Sequence, residues 1–138
     1  MSFLRSTPGG LALTGWRAVA AVSLGFCLGP ALAGAVGWTV LRQIGPDTFG
    51  EDFVRLGAGF VFATLSPLVT LPFWSTLAVA AALLMRRGWY GAGVAAILGA
   101  LLGGLTGAIL HEPVLMALGA VMATFHRFAL ALWRPMAF

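Results

Sequence analysis

Three stretches of this chain run without a charged residue for about the length that crosses a membrane, and a fourth is interrupted only by His126 and Arg127; this restricts the fold more than any other feature. A helix needs ~20 predominantly apolar residues to cover ~30 Å of hydrocarbon. Residues 18–41 form the first stretch, between Arg17 and Arg42, and residues 56–85 form the second, which ends at Arg86 and Arg87. The third, 91–110, stops at His111, Glu112 and Pro113; the fourth begins at Val114 and weakens at His126 and Arg127. Composition agrees. Of 138 residues 60% are hydrophobic and 9% charged, where a soluble domain carries about a quarter charged. In water such a chain would have almost no polar exterior, so its outside faces lipid.

The arginines set the direction. All eight basic residues are Arg, and with abundant Ala and Gly this is the composition of a GC-rich bacterial genome. Arg5 and Arg17 precede the first span, Arg86 and Arg87 lie between the second and third, and Arg127 and Arg134 close the chain. The intervening loops hold Arg42 and Arg55 with Asp47, Glu51 and Asp52, and then Glu112. Under the positive-inside rule both termini and the 86–87 turn are cytoplasmic, in a bacterial inner membrane. Trp16, Trp38, Trp89, Tyr90 and Trp133 fall near the span ends, as an aromatic belt requires. The formal charge of +4 is spread singly over the ends of apolar runs, which argues against nucleic-acid binding. One cysteine, Cys27, excludes an internal disulfide, and Phe26 before it is not the small residue of a lipoprotein anchor. Arg17, the following apolar run and the sequence Ala31, Leu32, Ala33 resemble a signal peptide. Apolar sequence nevertheless continues to Leu41, so the segment is expected to stay as a span.

The second stretch is too long for one straight crossing, at roughly 45 Å as a helix. Pro67 and Pro72 lie within it, and each removes a backbone hydrogen bond and crowds the preceding turn. Thr48 and Glu51 fit a capping box. The expectation is an all-α integral membrane four-helix bundle, N-in and C-in, in one domain. A short periplasmic helix over 49–65, interfacial or re-entrant, precedes a break at 66–72 and a crossing over 68–85; the other spans are 18–41, 91–110 and 114–134. One steeply tilted, kinked helix is the alternative.

Small residues recur at four-residue spacing. Ala21, Gly25, Gly29, Ala33 and Gly37 form such a row in the first span. Gly91, Ala95, Gly99, Gly103 and Gly107 form another in the third, beside a row of Ala92, Ala96, Ala100, Gly104 and Ala108. Such rows let helix backbones approach closely and gain contacts that lipid supplies less well. The first and third spans are therefore expected to pack on each other, or one row to dock on another subunit. The opposite face of the third span, with Ile97, Leu98, Leu101, Leu102, Leu105 and Ile109, suits lipid or a bulky neighbour.

Few residues carry chemistry. In transporters, broken helices bind ions or substrate through irregular backbone, and Ser66, Pro67, Thr70 and Pro72 mark the corresponding segment here. The alternative is a proline kink whose freed carbonyls are satisfied by Ser or Thr. His126 and Arg127 interrupt the last span, where charged residues are functional candidates. Arg127 lies about 10 Å from the helix end and is expected to snorkel to lipid phosphate or to meet a partner. His111 and His126 would be roughly 22 Å apart in continuous helix and cannot bracket one haem within the chain; a haem shared with a partner is the remaining version. There is no nucleophile–base set, no metal cluster and no ring of charged side chains for a pore. In size and span count the chain is similar to small multidrug transporters and fluoride channels. It lacks the acidic residue in the opening helix that the first resemblance implies, and it has no Asn for the polar pathway implied by the second.

Strong packing signals with little chemistry point to a small accessory subunit without cofactor, metal or catalytic role. It is expected to dock through Gly/Ala-rich helices on a larger membrane complex such as a respiratory or photosynthetic assembly. A homo-oligomeric transporter or channel with its site at 66–72 is the alternative.

Overall fold

The computed structural model describes residues 5–138, and those residues form helices and turns without a strand. The order is α1 (Gly10–Thr14), α2 (Trp16–Ile44), α3 (Pro46–Phe49), α4 (Asp52–Arg86), α5 (Ala92–Leu110) and α6 (Val114–Trp133), followed by a 3-10 turn at Pro135–Ala137. Four of these, α2, α4, α5 and α6, are long and apolar enough to cross a membrane. Large apolar side chains stand exposed along all four, including Leu32, Val36, Phe62, Leu68, Ile97, Leu101, Leu105, Ile109 and Leu132. That exterior suits hydrocarbon rather than water.

The contacts divide the chain into two compact units, and α2 and α4 contribute to both. The second unit, Leu24–Pro72, is an antiparallel helical pair. Gly34 lies against the Phe60 carbonyl and Thr64, Gly37 under the Phe60 ring, and Gly57 under the Trp38 ring. Thr70 Oγ1 is 3.8 Å from Cys27 Sγ further along the same pair. The Trp38 and Phe53 rings, 6.4 Å apart, close its end. At the turn Gly50 has φ 52 and ψ −128, a conformation that a side chain resists. It separates α3 from α4, so α4 begins at Asp52 and not near Phe49.

From there α4 is one helix to Arg86, with Pro67 and Pro72 inside it. The break expected at 66–72, between a helix over 49–65 and a crossing over 68–85, is absent. Each buried backbone group left unpaired in hydrocarbon costs several kcal/mol. Unwinding seven residues would orphan many such groups, whereas each proline in a continuous helix frees one carbonyl. Hydroxyls add donors nearby: Thr64 Oγ1 donates to the Phe60 carbonyl at 2.8 Å and Thr70 Oγ1 to the Ser66 carbonyl at 3.0 Å. Pro30 lies within α2 in the same way.

The first unit joins the chain up to Ser23 with Phe73–Phe138. Its centre is the α5/α6 hairpin, turned at His111, which takes a left-handed conformation and exposes its side chain. A Cβ placed at Gly99 would overlap the Gly119 carbonyl, one at Gly103 the Leu115 carbonyl, and one at Gly107 the Glu112 carbonyl. The small-residue row of α5 is thus spent on α6, its neighbour across a short turn. Val19, Leu77, Ala81, Met85, Ala95, Ala123 and Leu130 form the core around it.

One end of this unit is closed by three segments. Ser6 N–H donates to the Gly88 carbonyl at 3.0 Å and Thr7 N–H to the Ala137 carbonyl at 3.1 Å. The Tyr90 N–H donates to Ser6 Oγ at 3.3 Å, and Gly10 abuts the Ala137 carbonyl. Gly88, with φ 74, makes the turn that brings 86–91 into this cap.

Candidate functional site

Beneath the cap, α6 presents the two polar residues that interrupt its apolar sequence. His126 is fully buried and Arg127 is 1% exposed. Snorkelling is not what the structure shows for Arg127; its stem and head are enclosed.

His126 is held at both ring nitrogens. Ser23 Oγ of α2 stands 2.8 Å from Nε2, and the Tyr90 hydroxyl 3.0 Å from Nδ1. In either neutral tautomer one partner donates and the other accepts, so the pair satisfies a neutral ring completely. The Trp74 ring of α4 lies 6.2 Å from the imidazole, centroid to centroid. Helices α2, α4 and α6 and the turn before α5 therefore converge on one side chain. Tyr90 sits in that turn, fully buried. Burial pushes its phenol up from the ordinary value, and the positive charge of Arg127 opposes that shift in part. The hydroxyl thus keeps its proton through the neutral range.

Arg127 is differently placed. Its guanidinium carbon lies 4.4 Å from the centroid of the Phe138 ring and 5.6 Å from that of Phe128. Among the described residues Nε and Nη1 have no hydrogen-bond partner, and Arg127 has no ion pair with a carboxylate. Stacking on aromatic rings engages the face of the group and leaves its donor edge unused.

Phe128, beside Arg127, also lines an open groove. Ala96 of α5 with Ala120, Val121, Thr124, Phe125 and Phe128 of α6 line about 410 Å³, nearly all of it apolar. Ala120, Thr124 and Arg127 follow one another at helical spacing along α6. A smaller depression of about 310 Å³ lies among Trp38, Thr39, Arg42 and Gln43 in the second unit.

The other residues singled out in the sequence are scattered. Ala21, Gly25, Gly29 and Ala33 stand exposed on α2, and a Cβ at Gly25 or Gly29 would meet nothing within 4 Å. Gly37 of the same row is covered by Phe60, and Gly99, Gly103 and Gly107 by α6. Ser66, Pro67, Thr70 and Pro72 lie within continuous helix, where Ser66 Oγ is buried without a hydrogen-bond partner. No three His, Cys, Asp or Glu side chains among the described residues stand close enough to hold a metal.

Sequence reasoning found His126 and Arg127 and missed Ser23, Trp74 and Phe138 beside them. Tyr90 was read as a belt aromatic, as Trp89 next to it is, at 60% exposure. The signal available was that Tyr90 is the chain's single tyrosine, and a phenol in an apolar setting needs a partner. Comparison with known proteins yields no matching family model, no matching curated protein and no matching solved structure.

Proposed function

We propose that this chain is a small accessory subunit of a larger complex in a bacterial inner membrane, N-in and C-in, and that it docks through the outer face of α2. One observation carries the reading. The row of Ala21, Gly25, Gly29 and Ala33 is exposed, whereas the row of the same kind on α5 is filled by α6. A smooth glycine face gains most from a helix whose side chains fit it closely, and lipid tails fit it less well. The buried residues do not point to a competing activity: His126 is held at both ring nitrogens by the Ser23 and Tyr90 hydroxyls, both enclosed in the core with it. A respiratory or photosynthetic assembly is the proposed host class, because such complexes carry small polytopic subunits.

The test is native mass spectrometry of the protein extracted in mild detergent from its own membrane at native level. Wild type should co-migrate with larger, different chains. Gly29→Leu should lose that association roughly tenfold or more, the equivalent of one packing contact of about 1.4 kcal/mol, with its helical circular dichroism unchanged. A wild-type homo-oligomer without other chains would overturn the accessory reading. It would favour the transporter alternative, for which the unpartnered Ser66 Oγ is the supporting feature. Flux in proteoliposomes, with Ser66→Ala and Thr70→Val, would then decide that site.

A further inference from the structure

A buried cation without a counter-charge calls for a ligand. Arg127 is nearly sealed from solvent, and among the described residues it has no ion pair with a carboxylate and two nitrogens without acceptors. Desolvating a charge is costly unless it is paired and hydrogen-bonded. Aromatic faces at Phe138 and Phe128 offset part of that cost and supply no acceptor. The one acidic residue of the α5/α6 hairpin, Glu112, precedes Arg127 by about four helical turns, roughly 22 Å.

Place and surroundings define the missing partner. Arg127 lies about 9 Å along α6 from Trp133, whose ring is exposed at the helix end. That is within two helical turns of the level at which an aromatic belt meets the lipid headgroups. The groove lined by Ala96, Ala120, Val121, Thr124, Phe125 and Phe128 reaches Phe128, whose ring centroid is 5.6 Å from the guanidinium carbon. Its walls suit an acyl chain. Phe128 belongs to both places: its ring is 43% exposed, lines the groove and also stands over Arg127. A rotamer change of this one ring joins them. Guanidinium matches the phosphodiester in shape and charge, with paired donors for paired oxygens.

We propose that Arg127 and the α5/α6 groove form a specific site for one anionic phospholipid, its acyl chain in the groove and its phosphate on the guanidinium. Phe128 is the gate between the two, and Phe138 is the platform on which the guanidinium is stacked. The site is separate from the docking face on α2, so either can fail without the other.

The test uses the full chain, delipidated in detergent and titrated by native mass spectrometry with phosphatidylglycerol, phosphatidylcholine or inorganic phosphate. Wild type should hold one phosphatidylglycerol about tenfold more tightly than phosphatidylcholine, the effect of one good charge-assisted contact. Inorganic phosphate at millimolar concentration should not displace it. Arg127→Gln should bring the two lipids level. Ala120→Trp, which fills the groove and keeps the charge, should weaken both lipids. Equal binding of the two lipids by wild type would overturn the proposal, and this arm needs no variant to fold. Displacement by inorganic phosphate as effective as by lipid would also overturn it, in favour of a free-anion site. A phosphatidylglycerol preference that survives Arg127→Gln would place the headgroup elsewhere and remove Arg127 from the role.

Discussion

Tyr90 shows how a single hydroxyl ties the first unit together. It is fully buried, it hydrogen-bonds His126, and its backbone N–H is held by Ser6. Because burial raises its pKa in the folded state, the phenol stays protonated after an unfolded-chain tyrosine, near 10, has begun to ionise. The folded chain then holds the proton more tightly, so stability is fully present below the unfolded value and falls as pH rises beyond it. Thermal unfolding in detergent should therefore be flat from about pH 7 to 9 and decline above about 10. Tyr90→Phe should remove that alkaline slope. It should also destabilise the neutral-pH protein by about 1–3 kcal/mol, because the buried Tyr90–His126 hydrogen bond is lost. An alkaline decline of equal steepness in the variant would show that another group sets it. His126 and Arg127 were legible in the sequence because a polar pair inside an apolar span stands out. Their partners were not: Ser23 is 103 residues from His126 and Tyr90 is 36 residues away, and no local pattern encodes such a pairing.

At the scale of elements, α5 carries two small-residue rows and the structure uses one. Gly99, Gly103 and Gly107 are buried; the first two lie against α6 backbone and Gly107 against the Glu112 carbonyl in the turn before it. Gly104, on the neighbouring row, leaves ordinary space: a Cβ there would sit 3.6 Å from Met116 Cγ. This gives a matched pair of substitutions on one helix. Gly103→Ala should destabilise by about 1–3 kcal/mol, since the methyl meets the Leu115 carbonyl and neither backbone can yield without moving the hairpin. Gly104→Ala should be neutral or stabilising by up to about 1 kcal/mol from helix propensity. Unfolding in graded sodium dodecyl sulfate, followed by circular dichroism, compares them; equal losses would mean that the rows are not distinguished. The sequence marked α5 as built for close packing and pointed to α2 or another subunit as its partner, whereas Gly99 and Gly103 lie against α6; spacing alone does not name the neighbour, because both rows of α5 share it. It also pointed to a break at the two prolines. That expectation weighed each lost hydrogen bond and neglected how many more an unwound segment loses in a medium without water.

For the whole molecule the open quantity is direction across the membrane, and charge supplies the argument. The segments bearing Arg5, Arg86 with Arg87, and Arg134 are brought to one end of the first unit by the Ser6–Gly88 and Thr7–Ala137 hydrogen bonds, and Arg17 begins α2 there. Their positive charges therefore act as one cluster, which resists translocation and attracts the anionic inner leaflet. Glu112 lies at the far end of the α5/α6 hairpin. Because Cys27 is the only cysteine and is buried, a Cys27→Ala background gives clean single-cysteine reporters. Asp47 and Met136 are both exposed side chains outside the long helices. With a membrane-impermeant maleimide applied to intact spheroplasts, Asp47→Cys should label at once, and Met136→Cys only after permeabilisation. The reverse pattern would invert the chain. Labelling of both in intact cells would mean insertion in two directions, which a cluster of five arginines at one end should prevent.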